Sequence, residues 1–293
     1  MKIAAAAINP SDVKALLGLI PQAKWPRTPG RDFSAVVVGG PKELIGLEVW
    51  GSSGQLGISC DGTHGTHLII KSSSLCAKPS TISMLEAGAI GVPFVTAWKG
   101  FELAGLPNSG QSVVVLGANG KVGQAAVQIS AMLGARTIGV IRTERGPHGY
   151  HSAPVEILAS SNSDIVGRIL ELTNDLGADI VFNTVGSPYF EVAHRALAHG
   201  GRQILIATIE NIVPFNLLEF YRRQHTYVGV DSLSLSTDDS VTIMRTLVPG
   251  FESGVLKPFP ISGDAVFSLS EAKRAYARAM GPTKDRVVIV PTR

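Results

Sequence analysis

Cysteine, charge and long apolar runs are all scarce in this chain, and each scarcity removes a class of protein. Cys60 and Cys76 are the only two cysteines in 293 residues. Neither stands in a Cys-x-x-Cys pair or near a pair of histidines, which excludes a cysteine-rich metal site and fits a reducing compartment. A disulfide between the two stays open at this level. Charged residues make up 17% of the chain and the formal net charge is only +3, with no basic block of the kind that binds nucleic acid. The apolar run near the amino end, Ile3 to Ile8, has six residues, short of the roughly 7–15 that a secretory signal needs. It reads as a strand ending at Asn9-Pro10. No run approaches the roughly 18 apolar residues of a membrane span. These absences lead to the expectation of a cytoplasmic protein. What is present is a hydrophobic fraction of 45% over a length that accommodates two domains with a large core.

The most informative stretch is residues 112–142. Ser112 to Leu116 is a short β-branched run suited to a fully buried strand, and Gly117 to Gly123 is a glycine-rich turn. Val122, Val127, Ile129, Met132 and Leu133 mark a helix that stops at Gly134, and Arg136 to Ile141 is a second strand. Strand, glycine turn, helix and strand in this order give the dinucleotide-binding pattern its meaning. Gly120 lets backbone approach a pyrophosphate, Gly123 allows close packing of helix on strand, and the helix start offers N–H groups to phosphate. Gly117, Ala118, Asn119, Gly120, Lys121, Val122 and Gly123 are therefore candidate cofactor-binding residues, although Ala118 stands where the motif has its first glycine. After the second strand, where a carboxylate would accept from the ribose of NAD, the chain has Arg142, Thr143, Glu144 and Arg145. Arg142 and Arg145 suit the 2′-phosphate of NADP, which becomes the expected cofactor.

Upstream, residues 1–85 read as an irregular β domain, with strands at Ala35 to Val38, Leu47 to Trp50 and Thr66 to Lys71. Leu85 to Leu103 is helical in pattern despite Pro93. Downstream, strands at Val155 to Leu158, Asp179 to Asn183, Arg202 to Ala207 and Thr226 to Val230 alternate with helices at Asp164 to Leu176, Phe190 to Leu197 and Leu217 to Arg223. That alternation implies a parallel sheet wound on both faces, with ligands beyond the strands' carboxyl ends at Asn183–Gly186 and Ala207–Thr208. A helix at Asp238 to Glu252, a strand around Ala265 to Leu269, a helix at Glu271 to Met280 and a last strand at Val287 to Val290 close the chain. These last strands are expected to return to the first domain, which makes it discontinuous.

Six stretches then resemble one family in order along the chain: Ile8-Asn-Pro-Ser-Asp12, Pro29-Gly-Arg-Asp32, Asp61-Gly-Thr-His64, Gly91-Val-Pro-Phe-Val-Thr96, Gly117–Gly123 and Arg286-Val-Val-Ile-Val-Pro291. The chain resembles the medium-chain dehydrogenase/reductase superfamily, in its zinc-independent quinone oxidoreductase branch. The resemblance implies an α/β fold: a Rossmann doubly wound parallel sheet, residues 93–231, inserted into a GroES-like, mostly-β substrate domain, residues 1–92 and 232–293. By the same resemblance the substrate domain is shortened at its N-terminus, lacking the strand pair with which family members open.

The resemblance also implies NADPH-dependent hydride transfer to a quinone, enone or other activated small-molecule acceptor, in a homodimer. It assigns Asn9 to the active site and turns Thr96, Asn183, Val185, Gly186, Ala207 and Thr208 toward the cofactor. Asn9 can donate a hydrogen bond to oxygen where charge develops, and Lys14 is a weaker candidate for the proton. Positions matching the catalytic zinc ligands of relatives hold Asn9, Arg31 and Val92, none a good ligand, so no metal is expected. His148, Tyr150 and His151 read as a loop and not as a metal site. Enoyl-thioester reductases of the superfamily carry a tyrosine where this chain has Ile20, which favours quinones over thioesters. The alternatives are an enoyl-thioester reductase and an NADPH-binding structural or regulatory protein with little turnover.

Overall fold

The structure, a computed structural model, describes residues 1–142, 155–160, 164–281 and 285–292. In chain order the elements begin with β1 (Lys2–Ala7), α1 (Pro10–Leu16), β2 (Asp32–Val36), β3 (Glu48–Ser52), β4 (Cys76–Ala77), α2 (Met84–Ala87) and α3 (Gly91–Ala104). The middle of the chain forms β5 (Ser112–Leu116), α4 (Lys121–Met132), β6 (Arg136–Ile141), β7 (Glu156–Ala159), α5 (Ile165–Leu172), β8 (Ala178–Asn183), α6 (Phe190–Ala196), β9 (Leu197–Leu205), α7 (Leu217–Arg222) and β10 (Thr226–Gly229). Last come α8 (Thr237–Glu252), β11 (Val266–Ser268), α9 (Ala272–Met280) and β12 (Val288–Val290). Two compact units result. One holds Met1–Val95, Ser232–Gly254 and Pro258–Arg293, and the other holds Thr96–Asp231 and Val255–Lys257.

In the first unit six strands run in the order β11-β12-β1-β2-β3-β4, antiparallel except for the β11/β12 pair. Ile3, Ala6, Phe33, Ala35 and Val49 form its core, and the small side chains of β1 let α2 approach closely. In the second unit six parallel strands run β10-β9-β8-β5-β6-β7. Val113 to Leu116 of β5 are fully buried, as befits a central parallel strand covered on both faces. The chain steps outward from β5 to β6 and β7 on one side, and to β8, β9 and β10 on the other. The order therefore reverses between β5 and β8, the place where doubly wound sheets bind ligands.

Two local expectations need correction. Thr66 to Lys71 is not a strand: the apolar alternation is real, with Leu68 buried and Ile69 exposed. Ile3 N–H donates to Thr66 O and Met1 pairs with Leu68 through both its amino group and its carbonyl, which makes one isolated bridge, Lys2 to His67, and no ladder. The single helix expected at Leu85 to Leu103 is two, α2 and α3, separated at Gly88–Ile90, with Pro93 in the tolerated first turn of the second. A helix, α1, follows Asn9 directly, because Asp12 in its first turn accepts from Asn9 N–H and Pro10 suits its first position. Asp231 to Leu235, directly after β10 and Val230, forms no strand; Leu235 is buried and its carbonyl accepts from Gly54 N–H. Both cysteines are free, Cys60 exposed and Cys76 buried with its Sγ 3.3 Å from Trp50 Nε1. Among the described residues no helix is long and apolar enough to cross a membrane.

Candidate functional site

Three loops leave the carboxyl ends of the adjacent strands β5, β8 and β9. In the first, Gly117 makes the turn at φ +80°, a conformation L side chains rarely adopt, and a Cβ there would lie 2.4 Å from Thr184 Oγ1. Ala118 can therefore replace the motif's first glycine, since Gly117 carries the strained backbone. The N–H groups of Gly117 and Ala118 both donate to Val140 O at 3.0 Å, tying the turn to β6. Gly123 packs so tightly that a Cβ would lie 2.3 Å from Gly117 O. Gln124, which the sequence did not single out, donates from Nε2 to Asn119 O at 2.8 Å and holds the tip of the turn.

The second loop is shaped by Asn183. This fully buried side chain accepts from Val185 N–H at 3.1 Å and Gly186 N–H at 2.8 Å, and donates to Gly186 O at 3.0 Å. Thr184 Oγ1 donates to Leu116 O at 2.7 Å, joining this loop to the first. Gly186 lies against the third loop, where a Cβ would be 2.3 Å from Ala207 O. Thr208 Oγ1 accepts from Ser187 N–H at 3.3 Å. Asn183 therefore acts by setting the loop, and the groups offered outward are backbone and the exposed Ala207 and Thr208.

This arrangement suits a dinucleotide. Asn119 and Gly120 are exposed at the start of α4, and no side chain caps that helix. The N–H groups of Val122 and Gly123 have no partner within the helix, and the dipole end favours phosphate. A Cβ on Gly120 would meet only Gly117 O within 4 Å, at 3.3 Å, so its outer side is open. On α3, Thr96 is buried with no partner for Oγ1 among the described residues. Arg142 is exposed at the end of β6. Thr143, Arg145, His148, Tyr150 and His151 lie outside the described residues.

The first unit gathers a different set. Asn9, Asp12, Arg31, Asp32 and Arg286 are all buried. Arg286 Nη2 donates to Asp32 Oδ2 at 2.9 Å and to Asn9 Oδ1 at 2.7 Å, and its Nε donates to Ala89 O. Asn9 Nδ2 donates to Asp32 Oδ2 at 3.0 Å, and Val92 N–H donates to Asp32 Oδ1 at 2.7 Å. Asn9 N–H donates to Asp12 Oδ2 at 2.7 Å, while Asp12 Oδ1 has no partner among the described residues. Burial pushes the Asp12 carboxyl up to about 7 against the Asn9 N–H and Arg31, which favour its ionised form. Arg31 donates to Ser53 O at 2.9 Å, Ser11 Oγ at 3.0 Å and Ser232 O at 2.8 Å, so one guanidinium joins α1, the end of β3 and the returning chain. Burial lowers His64 to about 4 and keeps it neutral; Nε2–H faces Ala7 O at 3.2 Å and Nδ1 accepts from Tyr276 OH at 2.9 Å. Lys14 stands exposed on α1, whose buried residues are Asp12 and Ala15.

These residues do not fit a catalytic zinc. The matching positions, Asn9, Arg31 and Val92, contribute an amide already bonded at both ends, a cation, and a backbone N–H bound to Asp32. Two buried guanidinium groups oppose a further cation. Among the described residues no three His, Cys, Asp or Glu side chains are placed to hold a metal. Sequence reasoning missed Asp12, Asp32 and Arg286 as a unit, although each ends or opens one of the stretches that carry the family resemblance.

A family profile described as zinc-binding dehydrogenase matches residues 122–247. The chain is 32% identical over 294 residues to the zinc-type alcohol dehydrogenase-like protein C337.11 of Schizosaccharomyces pombe, covering 99% of this chain and 86% of that protein. It is 24% identical over 300 residues to the human quinone oxidoreductase, covering 99% and 88%. The fold superposes with a TM-score of 0.80 on the Escherichia coli quinone oxidoreductase complexed with NADPH, at 20% identity and with 99% and 90% coverage. With a doubly wound sheet, an open glycine turn at its switch point and end-to-end relatives, the chain belongs to the medium-chain dehydrogenase/reductase superfamily and is an oxidoreductase.

Proposed function

We propose that this oxidoreductase uses NADPH and reduces a quinone, enone or related activated acceptor without a metal. The convergence of the three loops after β5, β8 and β9 on an uncapped helix start carries this reading. Gly117 to Gly123 hold the pyrophosphate, Asn183 sets Val185 and Gly186 against the ring end, and Ala207, Thr208 and the unpartnered Thr96 hydroxyl complete the set. Arg142, with Thr143 and Arg145 beyond it, receives the 2′-phosphate, which selects NADPH over NADH. When bound, the cofactor supplies the hydride, and the protein supplies orientation and exclusion of water.

Residues 1–92 and 232–293 serve as the substrate domain and 93–231 as the cofactor domain in this reading. Asn9 contributes by holding Asp32 and Arg286, with one amide proton left for an acceptor oxygen. Lys14, open to water, competes with solvent as a proton donor. Quinones suit such a site because water can protonate the reduced oxygen. A conjugated thioester needs a placed donor worth typically 10²–10⁴-fold, and Ile20, packed beside Ala15 and Ile58, offers none. The setting is cytoplasmic and the assembly a homodimer formed along the open edge of β10, beside the exposed Ile209, Ile212, Leu217 and Leu218.

The test is kcat/KM with saturating NADPH, in the presence of a chelator, for a small benzoquinone and for crotonyl thioester. Faster turnover of the quinone is expected, and Ile20→Tyr is expected to raise the thioester rate. A wild-type preference for the thioester would assign the enoyl reductase reading instead. NADPH binding with no turnover of either substrate would assign the structural or regulatory one, and loss of activity to the chelator would overturn metal independence.

A further inference from the structure

Between Val13 and Arg27 the chain carries Lys14, Lys24 and Arg27 and no acidic residue, so this segment holds a formal +3, equal to that of the whole protein. Its inner side is a small apolar cluster of Ala15, Ile20 and Ile58 with Ala23 packed against it. The segment also exposes apolar side chains. Leu16, Leu17 and Leu19 are 42%, 56% and 65% exposed and Trp25 is 50% exposed. The backbone there is held, since Leu19 N–H donates to Lys14 O at 2.9 Å and Lys24 N–H to Ile58 O at 2.9 Å. The Trp25 ring is held as well, with the Arg27 guanidinium 4.1 Å above it and Arg27 donating to the carbonyls of Lys24 and Gly57. Two carboxylates flank the segment: Asp12, which precedes it and is buried, and Asp61, which accepts from Thr28 N–H at 2.7 Å.

Three leucines and a tryptophan exposed in a segment that also exposes Lys14 and Lys24 have the chemistry of an interfacial anchor. Leucine side chains enter the acyl boundary, the indole sits at headgroup level with its N–H wet, and lysine stems extend to phosphate. Basic side chains near an anionic leaflet each add attraction that falls off within a Debye length. We infer that residues 13–27 dock this protein peripherally on a bilayer that contains anionic lipid. The patch binds a surface and does not span it.

Cosedimentation of the full chain with phosphatidylcholine vesicles, with and without phosphatidylglycerol, tests this at low and high salt. Binding to the anionic vesicles is expected to be at least about tenfold stronger than to neutral ones and to fall to the neutral level at high salt. The pair Leu17→Glu and Leu19→Glu, and separately Lys24→Glu, are expected to weaken binding about tenfold and about fivefold. All three residues are exposed, so these variants are expected to retain the circular dichroism of the wild type. Ile212→Glu, on the other exposed apolar stretch, is expected to leave vesicle binding unchanged. Equal binding to neutral and anionic vesicles, or binding that survives the leucine pair but is lost with Ile212→Glu, overturns the assignment. Binding of sub-micellar decanoate without binding of vesicles also overturns it, by making the patch a site for single amphiphiles.

Discussion

In the parallel-sheet unit, β5 and β8 bury Val113 to Leu116 and Ile180 to Phe182 completely and leave their one charged residue, Asp179, half-buried near the start of β8, whereas the antiparallel unit buries Asp12, Arg31, Asp32 and Arg286 together. The first places its polar chemistry in backbone: glycine turns, a bare helix start and carbonyls closed by Thr184 and Gln124. The second places it in side chains that bond one another across more than 250 positions of sequence, as Asp32 and Arg286 do. A backbone site tolerates no added Cβ but survives loss of a side chain. A side-chain cluster tolerates local backbone change but not the loss of one charge, because the partner is left buried and unpaired.

The sharpest way to break this comparison is Arg286→Met, which strands the Asp32 carboxylate. We expect a loss of about 3–5 kcal/mol in urea unfolding, the range for removing one member of a buried pair, and a loss under about 1 kcal/mol would mean the cluster is not the support described. Next is Asp12. Its folded carboxyl is raised to about 7 from an ordinary 3.8, so the folded state holds its proton more tightly than the unfolded chain. The contribution is therefore present below about pH 4 and is lost as pH rises toward 7, by a few kcal/mol on the order-of-magnitude scale of proton linkage. Asp12→Asn is expected to flatten this part of the stability profile, and an unchanged slope would contradict it.

The second unit is expected to fail differently. Gly123→Val drives a side chain into Gly117 O and is expected to weaken NADPH binding by more than about a hundredfold while its far-UV circular dichroism stays near wild type. An unaffected affinity would move the phosphate site elsewhere. Arg142→Ala, an exposed change, is the mildest. It is expected to lower NADPH affinity about tenfold and leave NADH unchanged, as read by nucleotide fluorescence.

The same contrast explains what the sequence revealed. Every signal of the second unit is local: the β-branched run at Val113 to Leu116, the glycines within seven positions, and the alternation that orders β5 to β10. The first unit's cluster has no local period. Asn9, Asp32 and Arg286 meet only once β1, β2 and the approach to β12 are side by side, and a single buried arginine before an apolar strand carries no pattern of its own. Asn9 joins the two kinds of signal: the resemblance assigns it to the active site, and its neighbours show an amide holding an arginine and a carboxylate. At Thr66 to Lys71 the alternation, with Leu68 inward and Ile69 outward, meets the amino end of the chain through one isolated bridge, too little for a ladder.

The central claim is that the second unit holds NADPH through its glycine turn and the arginine at the end of β6. Parallel fluorescence titrations of the wild-type chain with NADPH and NADH test it most directly. A charge-assisted phosphate contact of about 1.5–3 kcal/mol predicts NADPH binding about ten- to hundredfold tighter than NADH. Equal affinities for the two nucleotides, or no saturable binding of either, would contradict it.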